Sequence, residues 1–166
     1  MEFLILLPFV VQMIVIVLDE FYFHVRRGLP KWERLGHPLD TLTVLACFSF
    51  ILFAPYSPFL LKIYIGLALF SCVFVTKDEF VHKHCCPASE QWLHAVLFLN
   101  HPVVLTAAAL LWPLVAEAQM PSWMSLLLPY ADSLRLAFFI QTTCVFIFFI
   151  YQTIYWNFLW KDKALE

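Results

Sequence analysis

Apolar residues run in blocks at about 3–25, 58–82, 90–116 and 133–160. Roughly 30 Å of hydrocarbon takes about 20 helical residues to cross, so each of these blocks reads as a membrane-spanning helix. A fifth block at about 40–54 is short, but Pro55-Tyr56-Ser57-Pro58 follows it. That turn signal would join it to the next block as a tight hairpin. The pattern therefore predicts an all-α, polytopic integral membrane bundle of about five helices, with residues 1–166 forming a single transmembrane domain. The opening Met1-Glu2-Phe3-Leu4 carries no basic region, and the apolar run continues without a small-residue cleavage signal. The expectation is a retained first span and not a removed signal peptide.

Composition points the same way. Of the residues, 63% are apolar and only 13% are Asp, Glu, Lys or Arg, with three glycines. A water-soluble domain of this length could not easily cover itself with so little polar surface. A formal net charge of −2 without long basic or acidic runs points to membrane lipids as partners and excludes a main role on nucleic acid. The five cysteines are odd in number, and Cys47, Cys72 and Cys144 lie inside apolar stretches. They read as small hydrophobes, with no disulfide framework. Tyr151, Tyr155, Trp156 and Trp160 read as an aromatic belt at one interface, and Trp112, Trp123 and Tyr130 as markers of the other.

Position matters more than net charge. With five spans, Arg26, Arg27, Lys31, Arg34, Lys77, Lys83, Lys161 and Lys163 share one face, while only Lys62 and Arg135 fall on the other. The positive-inside rule makes the first face cytoplasmic, with the N-terminus outside and the C-terminus inside. These basic residues are read as topology signals and interface anchors.

All six histidines, at 24, 37, 82, 84, 94 and 101, lie at or near that face, together with seven of the twelve acids: Asp19, Glu20, Glu33, Asp40, Asp78, Glu79 and Glu90. Four histidines have an acid four positions earlier, in the pairs Glu20/His24, Glu33/His37, Asp78/His82 and Glu90/His94. On a helix this spacing puts both side chains on one face within roughly 6 Å, within reach of one ion or one hydrogen bond. Gly36 and Pro38 would interrupt a helix around Glu33 and His37, so a re-entrant loop or a helix start is expected there. The order Asp19-Glu20-Phe21, His24, Glu33, His37-Pro38 is echoed by Asp78-Glu79-Phe80, His82, Glu90, His94, with His101-Pro102 further on. The echo suggests a pseudo-repeat of two helix hairpins around one dinuclear centre.

The candidate metal ligands are accordingly Asp19, Glu20, His24, Glu33, His37, Asp40, Asp78, Glu79, His82, Glu90, His94 and His101. Such a set exceeds what one tetrahedral zinc needs and could fill two five- or six-coordinate ions. Mixed imidazole and carboxylate ligation suits iron, manganese or zinc, and the weight of carboxylates favours two iron ions, with manganese or zinc next. His84, Cys85 and Cys86 are read as a plain turn with reduced thiols.

In its parts the pattern resembles the membrane-bound di-iron hydroxylases and desaturases, which gather histidines at the cytoplasmic ends of transmembrane helices and act on acyl chains. It departs from their histidine boxes, because His82 and His84 form the one close pair and acids take the other places. Of the Glu-x-x-His element of ferritin-like di-iron bundles, only Glu79 and His82 give a copy. The resemblance implies shared chemistry, not family membership. The function expected is an oxygen-dependent oxidoreductase acting on a lipid or other hydrophobic substrate. It would take electrons from an external donor, since the chain carries no flavin or nicotinamide motif. The alternatives are a zinc-dependent membrane hydrolase of a lipid amide or ester and a metal carrier or sensor.

Overall fold

The computed structural model describes residues 2–77, 86–119 and 121–161. Among these the chain is helical without a strand, in five helices: α1 (Leu4–Arg27), α2 (Lys31–Phe53), α3 (Pro58–Phe74), α4 (Ala88–Val115) and α5 (Met124–Leu159). Four of them, α1, α2, α4 and α5, are long and apolar enough to cross a bilayer, as in an integral membrane protein. The fifth, α3, has 17 residues, about 25 Å at the helical rise. Large apolar side chains such as Phe53, Leu99, Leu126 and Phe158 point outward from the bundle, which suits a hydrocarbon surround and not water.

The short apolar block at 40–54 is the second half of a longer helix. α2 begins at Lys31 and passes through Gly36 and Pro38 without breaking, so of the two forms expected around Glu33 and His37 it is the helix start and not the re-entrant loop. Pro38 removes one backbone donor, so the Arg34 carbonyl loses its intrahelical partner. That carbonyl instead accepts from the Asn157 side chain of α5 at 3.1 Å. Ser57 caps the next helix by accepting from the Leu60 amide at 3.2 Å, with Pro58 at the first helical position.

α1 packs along α4, α2 along α5, and α3 against α2 and α4. The apolar core lies toward the end of the bundle that holds the α2–α3 turn. There Trp112 is fully buried, its indole N–H donates to the Ala54 carbonyl at 3.0 Å, and its ring packs with Phe50, Tyr56 and Tyr64 at 5.4–5.7 Å. Tyr64 donates to the Leu105 carbonyl at 2.7 Å. Small residues, Ala107 and Ala108, keep α4 close to its neighbours. Trp112 is thus a core residue and not the interface marker expected from sequence.

Candidate metal centre

Three helix ends meet at the other end of the bundle. Glu33 lies in the first turn of α2 and Glu90 in the first turn of α4, where unpaired backbone N–H groups and the positive dipole end favour carboxylates. The contribution of α1 depends on a local change of helix type. Over Asp19–His24 the backbone widens to a π-helix, a form recurrent at functional sites. With bonds running from residue to fifth neighbour, both Asp19 and Glu20 turn inward with His24, and all three are buried. A regular α-helix would aim only the four-residue pair at the same point.

His24 sits at the middle. Its Nε2 lies 3.3 Å from Asp19 Oδ2 and 3.5 Å from Glu90 Oε1, and its Nδ1 lies 3.5 Å from Glu20 Oε2. His94 Nε2 meets Asp19 Oδ1 at 2.9 Å. The rings of His37 and His94 stand 4.6 and 6.2 Å from that of His24. One ligand atom each from Asp19, His24, Glu90 and His94 falls within a 4.8 Å cluster, and a second such group joins His24, Glu33 and His37.

Two neighbours hold the carboxylates in place. Arg27 Nη2 donates to Glu33 Oε2 at 3.1 Å and to Glu90 Oε1 at 2.8 Å, tying α2 to α4. Gly28, with φ of 76°, lets the chain turn immediately after it. Trp156, fully buried on α5, donates its indole N–H to Glu20 Oε1 at 2.7 Å. Both residues were missed from sequence as members of the centre, Arg27 as a topology signal and Trp156 as a belt residue. A signal for Trp156 was present, because Gln152 four positions earlier marks the inward face of α5. Gln152 is buried and accepts from the Thr41 hydroxyl at 2.6 Å.

After these contacts, Glu20 Oε2, Glu90 Oε2 and both ring nitrogens of His24 remain buried without a hydrogen bond among the described residues. Such groups are costly unless an ion or a proton pairs them. Four carboxylates are buried here, Asp19, Glu20, Glu33 and Glu90, and the Arg27 guanidinium reaches two of them, Glu33 and Glu90. The donor set, carboxylate and imidazole with unused lone pairs, fits a divalent cation.

Not every candidate reaches the cluster. Asp40 pairs with Lys77 instead. His101, seven residues beyond His94 on α4, is bonded to the Ser71 hydroxyl at 3.0 Å, and Ser71 in turn to Thr43 at 2.7 Å. Asp78, Glu79 and His82, with His84 and Cys85, lie outside the described residues. The pseudo-repeat rests on them, so the cluster is drawn from α1, α2 and α4. Cys86 stands just before α4, where burial pushes its thiol up to about 12 despite the opposing pull of Arg27.

Asp19, Glu20, His37 and His94 also form one end of a cavity of about 260 Å³. It continues between α1, α2, α4 and α5 past Ile16, Val44 and Phe148 to Phe48 and Leu105. No protein-family model, curated protein or solved structure matches this chain.

Proposed function

We propose that the chain is a membrane metalloenzyme with a carboxylate and histidine dinuclear centre, iron or manganese, acting as an oxygen-dependent oxidoreductase on a lipid or other hydrophobic substrate. The observation that carries this reading is the buried convergence of Asp19, His24, Glu90 and His94, with His24 also adjoining Glu33 and His37, at the end of an apolar cavity. Glu90 and His94 bind one ion with Asp19 and His24, while Glu33 and His37 serve the second. Two redox-active ions would supply oxygen activation, with electrons from an external donor. Arg27 orients Glu33 and Glu90 and offsets part of their charge, and Trp156 fixes the rotamer of Glu20. The apolar walls keep bulk water from the reacting end. By the positive-inside pattern the centre faces the cytoplasm, with the N-terminus outside and the C-terminus inside.

Protein purified anaerobically without added metal should carry stoichiometric iron or manganese with a matching paramagnetic signature, and Glu90→Ala and His94→Ala should each lose it. Stoichiometric metal missing from the parent, or unchanged in both variants, would overturn the reading.

One observation favours a second reading. Two imidazoles and two carboxylates, from His24, His94, Asp19 and Glu90, would complete one four-coordinate zinc site. In this reading a glutamate of the cluster would be the general base for hydrolysis of a lipid amide or ester, and Glu20, with Oε2 3.5 Å from His24 Nδ1 and without a hydrogen bond among the described residues, is the candidate. Activity that persists without oxygen and is lost on zinc chelation would select this reading.

A further inference from the structure

The cavity has a length, a polar end and a side opening, and together these define its occupant. Its walls run from His37 to Phe48 on α2, from His94 to Leu105 on α4 and from Gln152 back to Gln141 on α5. Each stretch advances eleven residues along its helix, or ~16 Å at the helical rise. One leaflet is half of a ~30 Å hydrocarbon core, ~15 Å deep. The cavity therefore spans the depth of a single leaflet, from the cluster to the middle of the bundle.

Polar groups along its length are turned to one another. Thr41 donates to Gln152 at 2.6 Å, Asn100 to Gln12 at 2.9 Å, and Ser71 is bonded to His101 at 3.0 Å. What is left for an occupant is a largely apolar tube, with carboxylates and imidazoles at one end and the Gln141 amide as the polar group near the other.

The tube opens sideways. Two ring contacts close α1 against α5, Phe9 on Phe138 at 6.1 Å and Phe21 on Tyr151 at 5.8 Å. Between them Met13 and Val17 on α1 and Cys144 on α5 both line the cavity and are exposed on the outer face of the bundle. Phe9 and Phe21 are twelve residues apart, so the window is up to ~18 Å tall. It faces the surround that the outward apolar side chains mark as lipid.

We propose that the cavity takes one acyl chain of a single-chain lipid, a free fatty acid or its close derivative, from the leaflet on the cluster side. The chain enters sideways between α1 and α5, with its polar head at the cluster and its methyl end toward Phe48 and Leu105. The inference deepens the metalloenzyme reading, on which it rests for the chemistry and for the cations that would meet the head group: reaction would fall on the head group or the first carbons, not at mid-chain.

The test uses the full chain in phosphatidylcholine nanodiscs, with the cysteines other than Cys144 changed to serine. Alkylation of Cys144 by N-ethylmaleimide should slow at least fivefold with palmitic acid and stay unchanged with cholesterol. Val17→Trp, which fills the window from a lipid-facing position, should abolish the protection. Orientation follows from stearic acid carrying a nitroxide near the carboxyl or near the methyl end. The share of tryptophan quenching lost in Trp156→Phe should be larger for the carboxyl-end label. No protection by palmitate, equal protection by cholesterol, or protection that survives Val17→Trp would overturn the acyl-chain site, and stronger quenching from the methyl end would overturn its orientation. The alkylation readouts need no metal, whereas the orientation readout is made on metal-loaded protein, because a carboxylate head beside Asp19, Glu20, Glu33 and Glu90 needs a cation to meet. Metal content of the same samples reports separately on the centre, so either reading can fail alone.

Discussion

At one end of the bundle Trp112, Tyr64, Phe50 and Tyr56 pack ring against ring, and the polar atoms of Trp112 and Tyr64 each meet a backbone carbonyl. At the other end the same helices bury Asp19, Glu20, Glu33, Glu90, His24 and His94, and several of their polar atoms make no hydrogen bond among the described residues. In lipid, apolar burial supplies no hydrophobic drive between helices, so association rests on close packing and on hydrogen bonds. The first end supplies both and holds the bundle. The second gathers four buried carboxylates among imidazoles and one guanidinium, an arrangement that packing alone would not keep, and in the proposed reading it is the end that takes the ions. The contrast predicts that substitutions at the two ends separate stability from metal binding.

The largest effect on stability is expected at the packed end. Trp112→Ala removes a fully buried ring and a hydrogen bond, and large-to-small changes of this kind cost about 3–5 kcal/mol. Denaturation in detergent should register that loss, while the fraction that remains folded keeps its full metal content. Metal lost from the folded fraction would show that the ends are not independent.

At the charged end the order of effects should invert. Glu90→Gln keeps the shape and an acceptor for Arg27 but removes one of four buried negative charges. Losing a ligand should weaken metal binding by more than the roughly 10–100-fold typical of a supporting residue. The metal-free protein gives up the charge of the Arg27 pair but keeps an acceptor for it and loses one of four neighbouring negative charges, so it should unfold only slightly more easily than its parent. A metal-free Glu90→Gln protein that is clearly less stable would mean that the carboxylate is there to hold the fold and not an ion.

The two ends also differ in how far the sequence disclosed them. Long apolar blocks are read directly, because each must satisfy its backbone within itself to cross a bilayer. The four-residue spacing placed Glu20 with His24 and Glu90 with His94 on common faces, since helical geometry is local. Three features escaped. α2 starts at Lys31 and runs on through Pro38, where Asn157 of α5 takes the carbonyl left without a helix donor. Asp19 stood among the expected ligands and does reach the cluster, but the π turn that brings it inward with Glu20 and His24 has no residue pattern to announce it. Arg27 reads as one of several surface cations until α2 and α4 bring Glu33 and Glu90 to it. Asp40 was grouped with the ligands because it lies near the expected cytoplasmic face, whereas Lys77, just past the end of α3, pairs with it.

A smaller effect is expected where α1 turns into α2. Gly28 has φ of 76°, and a Cβ there would meet Trp160 Cζ2 at 3.0 Å. Gly28→Ala should therefore cost about 1–3 kcal/mol for a backbone conformation, φ 76° and ψ 153°, that is essentially open to glycine alone, with the ring displacement added. Because Arg27 is the preceding residue, the same variant should bind metal more weakly, unlike Trp112→Ala. Unchanged metal affinity would show that the Arg27 bridge does not depend on this turn.

The smallest effect concerns the single contact by which α5 compensates the proline of α2. Asn157→Ala should cost about 1 kcal/mol, the worth of one hydrogen bond to a carbonyl that otherwise lacks a helix partner. In a Pro38→Ala background the restored backbone N–H can serve the Arg34 carbonyl, so the same change should cost markedly less. A double-mutant cycle in detergent measures that coupling. Coupling near zero would mean that Asn157 does not stand in for the missing donor, and that the unbroken helix through Glu33 and His37 owes its stability to packing alone.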